Sequence, residues 1–309
     1  MPIRGRFAPS PSGRLHIGNM LSSLLAWLDV RSRGGEIIFR LEDLDPERSW
    51  DEYAQLMAED LRWLGLDWDG GWPMEADCRQ GRRTAEYEAA FGQLRDMGLV
   101  YDCWCSRSER LAASAPHPGE ERPSSCRCRS LSEGERCELR RRGRRAAAKV
   151  IVPDREIAVP DGHYGEYREN LARGCGDFII RRSDGVFAYQ LAVSVDDAAM
   201  GVTRVVRARD LLSSAPRQKW LIETLGGTAP DYCHAPLLVS GEGRKLSKRE
   251  GDLNMESLRR RYTPEGLCGV LAYLCGLTDR PESVSARELV GHFSWEKVSR
   301  EDITLPDWV

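Results

Sequence analysis

The chain has 309 residues, enough for a full core and about two domains, and its 41% hydrophobic and 30% charged residues exclude a low-complexity or disordered polymer. No signal peptide opens it and no apolar stretch is long enough to span a bilayer, so a cytoplasmic location is expected. The net charge of −3 does not by itself announce a nucleic-acid partner, and ten cysteines in a reducing compartment point to metal binding before disulfides.

Residues 3–7 are predicted as a short strand, followed by a Pro/Ser/Gly-rich turn and a helix from near Leu15. Leu21, Leu24, Leu25 and Leu28 fall on one helical face, and Gly34-Gly35 ends that helix. Residues 36–41 then read as a buried strand, which completes a right-handed crossover unit of a parallel sheet. Residues 52–64 and 84–97 are helix candidates. Residues 101 to about 145 are rich in Cys, Ser, Pro and Arg with little periodicity, and read as an insertion held by something other than an apolar core. Within it, Arg140-Arg141-Arg142 with Arg144-Arg145 is a basic run that suits either a solvated face or a tRNA contact. Residues 178–181, 185–193, 202–208 and 235–239 read as strands. Residues 255–261 and 264–275 read as helices, the second capped by Thr263 with Pro264 at its first position. Residues 304–309 read as an irregular tail. The expected fold is α/β: a doubly wound parallel sheet with a zinc-containing insertion and a short helical C-terminal segment. Its divisions are 1–100, 101–175, 176–250 and 251–309.

Two strings carry chemistry. The first is Phe7-Ala8-Pro9-Ser10-Pro11-Ser12-Gly13-Arg14-Leu15-His16-Ile17-Gly18-Asn19. A strand, a tight turn and a helix start present backbone N–H groups and a positive helix end to phosphate. His16 and Asn19, three apart, can both face that side and donate hydrogen bonds as charge builds on the phosphate. The second is Gly243-Arg244-Lys245-Leu246-Ser247-Lys248-Arg249, where two ammonium groups lie in a glycine-flanked loop. Such a loop suits a polyphosphate.

Together the strings resemble the His-Ile-Gly-His and Lys-Met-Ser-Lys-Ser signatures of class I aminoacyl-tRNA synthetases. Asn19 stands where that family has its second His, and keeps a donor that cannot become cationic. The resemblance implies ATP with Mg²⁺, handled by His16, Gly18, Asn19, Lys245 and Lys248. The first string is similar to the glutamyl branch, with Ser12 where Thr is frequent. That branch implies a pocket of Arg6, Ala8, Ser10, Glu42, Tyr189 and Arg207, with Arg6 on a substrate carboxylate and Glu42 on the ammonium. Two guanidinium groups favour glutamate over glutamine.

Cys103-Trp104-Cys105 and Cys126-Arg127-Cys128 bracket a loop without apolar periodicity, and four thiolates make a closed tetrahedral zinc site. The chain resembles the glutamyl-queuosine tRNA(Asp) synthetase family, which carries a metal site in this insertion with a Tyr four residues before the last Cys. Ser124 stands there in this chain. Cys126 is then the expected fourth ligand, with His117 and Cys137 as substitutes. Family members are similar to a glutamyl-tRNA synthetase without its anticodon-binding domains, and the end at Val309 fits that expectation. The resemblance implies activation of L-glutamate to the adenylate and transfer to queuosine in tRNA(Asp) by a monomer. A compact glutamyl-tRNA synthetase charging the 3′ end, or a catalytically silent tRNA-binding paralogue, are the alternatives.

Overall fold

The computed structural model describes residues 2–105, 126–241 and 253–309. Strand β1 (Arg4–Phe7), helix α1 (Ile17–Arg31) and strand β2 (Glu36–Phe39) form the expected crossover, with β1 and β2 parallel and Phe7 in register with Phe39. Gly5 is required here, because a Cβ would lie 2.4 Å from Val30 Cγ2 on α1. Helix α2 (Asp51–Trp63) and strand β3 (Gly70–Gly71) follow, and β3 extends the sheet parallel to β2. Helix α3 (Thr84–Asp96) leads to strand β4 (Val100–Cys103).

Helix α4 (Glu133–Arg141) lies in the stretch expected to lack regular structure. A capping box between Ser132 and Glu135 starts it, a local signal that outweighs the missing apolar stripe. Its arginines are partly neutralised: Arg140 pairs with Glu133 and Asp102, and Arg141 and Arg142 pair with Glu138. Strand β5 (Ala147–Val150) lies between β4 and strand β8 (Phe178–Arg181) in a small antiparallel sheet. Between them in sequence, strands β6 (Glu156–Asp161) and β7 (Gly165–Asn170) form a hairpin, followed by the short helix α5 (Leu171–Gly174).

Residues 185–193 do not form the expected strand. Helix α6 (Tyr189–Ala199) begins inside that run. Its buried residues lie nearly all round (Leu191, Ala192, Val193, Ser194, Asp196 and Asp197), so the run carries no helical stripe to tell it from a strand. Strand β9 (Arg204–Ala208), helix α7 (Ala215–Thr224) and strand β10 (Asp231–Ala235) return to the sheet. β10 pairs in parallel with β9 and with β6, and Thr203 N donates to Arg4 O at 2.9 Å, which sets β9 beside β1. The expected strand over 235–239 is divided at Pro236: β10 ends at Ala235, and strand β11 (Leu238–Val239) is separate. Helices α8 (Met255–Arg261), α9 (Pro264–Leu274) and α10 (Ala286–Leu289) follow, with Thr263 capping α9 as its sequence predicts. The tail is ordered at its start, since strand β12 (Ile303–Thr304) pairs with β11.

Alternate residues of the central strands enter two cores, as in a doubly wound sheet. Val206, Cys233 and Ala235 pack with α1, α2 and α9, whereas Val205 and Tyr232 pack with α3, α6 and α7. No helix among the described residues is long and apolar enough to cross a membrane.

Candidate active site

The first motif leaves the carboxyl end of β1, where open α/β sheets bind ligands. His16 is the N-cap of α1. Its Nδ1 accepts from Gly18 N at 3.1 Å, and Asn19 Oδ1 accepts from His16 N at 3.1 Å. Because Nδ1 is an acceptor, the neutral ring carries its proton on Nε2. Gly18 permits this geometry, since a Cβ would sit 3.1 Å from the imidazole Cε1. An isolated β-bridge joins Asn254 to His16, and Met255 N donates to Leu15 O at 2.9 Å, so the chain just after the second motif lies against the first. Lys245 and Lys248 themselves lie outside the described residues.

A cleft of ≈ 540 Å³ opens at this end of the sheet. Arg6, Ala8, Ser10, Asn19, Glu42, Tyr189 and Arg207 line it, while His16 and Gly18 stand beside it. Glu42 N donates to Pro9 O at 2.9 Å, which fastens the end of β2 to the first motif's turn. One wall therefore carries two guanidinium groups and a carboxylate.

These charges rest on a buried network that sequence reasoning missed. Arg40 is fully buried and donates to Asp197 at 2.6 Å and to Glu42 at 3.0 Å. Burial opposes its charge, but Asp197, Glu42 and Asp196 more than compensate and hold its pKa above the ordinary value. Asp196 also accepts from Arg83, Gln80 and Tyr87. Arg6 donates to Val206 O at 3.1 Å and lies 3.7 Å from Asp197. Burial, with Arg40 and Arg207 nearby, lowers its pKa against the pull of Asp197. Glu42 is pushed upward by burial, which Arg40 and Arg6 only partly offset. The available signal was Asp196-Asp197 at the end of an apolar run, since buried carboxylates require partners.

Arg207 differs from the other buried arginines. Arg6, Arg40, Arg83 and Arg204 each lie within 4.0 Å of a carboxylate; among the described residues Arg207 has no such partner. Its Nη1 donates to Gln218 Oε1 at 2.7 Å and to Tyr189 OH at 3.5 Å, Nη2 donates to Leu211 O at 3.2 Å, and Nε donates to His234 Nε2 at 3.1 Å. Its guanidinium carbon lies 5.3 Å from the centre of the Tyr232 ring. His234 meets Arg207 because the two are register partners on β10 and β9. Having accepted at Nε2, His234 carries its proton on Nδ1 and donates it to Asp161 Oδ2 at 2.6 Å. Burial lowers the His234 pKa, Asp161 opposes and Arg207 adds to the lowering, so the ring is held neutral.

The four cysteines expected to bind metal come together at the end of β4. All four sulfurs lie within 4.8 Å of one another, with Cys105–Cys128 at 3.6 Å and Cys103–Cys126 at 3.7 Å. A tetrahedral Zn–S₄ site with bonds of ~2.3 Å places sulfurs ~3.8 Å apart, whereas a disulfide needs ~2.05 Å. The donor set therefore fits a closed metal site. Burial pushes the Cys105 thiol up to about 11, so a divalent cation is what would hold it as thiolate at neutral pH. Tyr101, bonded to Asp177 at 3.1 Å, lies 3.4 Å from Cys126 Sγ. Cys137 is on α4 with its thiol toward Glu133, and His117 lies outside the described residues.

Residues 2–302 match the family model of class I (E and Q) tRNA synthetase catalytic domains. A glutamyl-Q tRNA(Asp) synthetase of Nitratidesulfovibrio vulgaris is 43% identical over 98% of this chain and 96% of its own length. One of Symbiobacterium thermophilum is 44% identical over 98% and 95%. The crystal structure of a glutamate tRNA ligase from Elizabethkingia meningosepticum, in complex with its amino acid, superposes with a TM-score of 0.82 at 27% identity, over 99% of this chain and 67% of that one. The chain belongs to the class I tRNA synthetases of the E and Q group and, within them, to the glutamyl-Q tRNA(Asp) synthetase family.

Proposed function

We propose that this protein activates L-glutamate with ATP, forming glutamyl-adenylate and releasing pyrophosphate, and transfers the glutamate to queuosine in tRNA(Asp). The observation that carries the amino-acid assignment is Arg207, a buried guanidinium on the cleft wall whose partners are all neutral among the described residues. A buried cation of this kind is completed by an anionic ligand, and a bidentate carboxylate matches its fork. In this reading Arg207 and Arg6 take the substrate's carboxylates, Glu42 takes its ammonium, and Tyr189, Ala8 and Ser10 shape the pocket. His16, Gly18 and Asn19 meet the ATP phosphates at the α1 N-terminus, together with Lys245 and Lys248. Mg²⁺ would accompany the ATP and neutralise phosphate charge.

Cys103, Cys105, Cys126 and Cys128 would hold one structural Zn²⁺, with no position open for chemistry. The division of the chain at 100, 175 and 250, a monomeric state and a cytoplasmic location belong to the same reading. The transfer site is carried by the names of the relatives, which match over nearly their whole length. Glutamate-dependent exchange of pyrophosphate into ATP without tRNA is the test of activation; faster exchange with glutamine would overturn the assignment. Digestion of labelled tRNA(Asp) to nucleosides tests transfer. Label on the terminal adenosine in place of queuosine would establish a compact glutamyl-tRNA synthetase instead.

A further inference from the structure

Asp60 lies in the last turn of α2, flanked by the buried Met57, Ala58 and Leu61, and its side chain is wholly buried. Its carboxylate takes three donors. Oδ1 accepts from Arg14 Nη2 and from Arg259 Nη1, both at 3.1 Å, and Oδ2 accepts from Arg14 Nε at 3.3 Å. Arg14 belongs to the first motif and lines the cleft. Arg259 belongs to α8, and also lies 5.4 Å from the centre of the Trp63 ring at the end of α2. A buried carboxylate in an apolar row is not the most stabilising choice, because well-packed apolar residues serve stability as well or better. What it supplies is register among the elements it joins, here the first motif, α2 and α8.

We propose that Asp60 is a positioning residue for the ATP end of the cleft. By holding Arg14 and Arg259 on one carboxylate, it sets the helix that follows Lys245 and Lys248 against the turn that precedes His16. The amino-acid end is built without it: Arg6 and Glu42, from β1 and the chain after β2, rest on Asp197 and Arg40, whereas Arg207 and Tyr189, from β9 and α6, meet each other and Arg207 is held by Gln218 and His234. A structural role alone would lower the amount of folded enzyme and leave both Michaelis constants unchanged. A positioning role separates them.

The inference rests on the cleft being the adenylate-forming site, and pyrophosphate exchange tests both in one experiment. Three proteins are compared: the unaltered chain, Asp60→Asn and Arg259→Leu. The expected result is a KM for ATP raised about 10-fold in Asp60→Asn and about 3-fold in Arg259→Leu, with the KM for glutamate within about 2-fold of the unaltered chain. Unchanged KM for ATP in folded Asp60→Asn, or equal rises in both constants, would overturn the proposal. Should Asp60→Asn not fold, Arg259→Leu decides alone: it leaves the Arg14–Asp60 pair in place, and an unchanged KM for ATP in it overturns the proposal. No exchange by the unaltered chain would defeat the reading of the cleft itself, which separates that failure from this one.

Discussion

The amino-acid end of the cleft and the cysteine cluster hold their polar groups in place by different means. Around Arg6, Arg40 and Arg207, the fixing contacts are hydrogen bonds between strands and helices far apart in sequence, set inside two large apolar cores. Around Cys103 the apolar cluster is small among the described residues: Tyr101, Cys103, Trp104 and Cys128 are its buried members there, and two of them are themselves sulfur donors. The first site is preorganised by the fold. The second gathers four donors where the packing among the described residues is slight, so a bound metal would supply much of the local folding free energy.

The largest expected effect breaks the second region and spares the first. Cys103→Ser/Cys105→Ser should lower zinc from one equivalent per chain to near none by elemental analysis. Zinc-site free energies of ~10 kcal/mol or more imply that the module then opens to protease. Exchange of pyrophosphate should stay within about 2-fold, because the cleft rests on distant elements, while transfer to tRNA should fall. Parallel loss of exchange would show that the two regions are not independent.

A smaller effect probes the first region. Arg207→Ala should raise the KM for glutamate about 100-fold, equivalent to ~2.7 kcal/mol, with the KM for ATP little changed. A rise below about 5-fold, equivalent to ~1 kcal/mol, would remove Arg207 from carboxylate binding.

The smallest concerns His234. Its folded pKa lies below the ordinary ~6.5, so on acidification the unfolded chain takes up its proton first. The stability that the neutral ring contributes is therefore present above about pH 6.5 and falls as pH drops below it. His234→Gln keeps an acceptor for Arg207 and cannot titrate. Denaturant unfolding between pH 7.5 and 5.5 should then show a slope shallower by up to ~1.4 kcal/mol per pH unit, the linkage of one proton. An unchanged slope would mean that the ring is not held neutral.

Both cases show which features can be read along the chain. The β1–turn–α1 unit was legible because its signals are local: an apolar strand, two prolines and a glycine in the turn, and leucines at helical spacing. The paired Cys-x-Cys strings were legible for the same reason, and the structure places all four sulfurs together. The helix over Tyr189–Ala199 was not, because burial on nearly every side removes the periodicity that would identify it. Nor was α4, whose polar surface leaves only its capping box as a signal. Asp60, Asp161 and His234 carry no pattern in the sequence. Each is defined by a partner dozens to hundreds of positions away, such as Asp161 and His234 at a separation of 73 residues or Asp60 and Arg259 at 199.

The sequence alone thus determined the tight turn after β1, the crossover that contains it and the cysteine pairs, because turn chemistry and side-chain period act over a few residues. Only the tertiary structure decided which charges are compensated. Arg40 and Arg207 are both buried arginines, but the packing of helices on the sheet sets Arg40 among carboxylates and Arg207 among neutral acceptors. In a low-dielectric interior that difference of neighbours separates a cation compensated by carboxylates from one left with neutral partners.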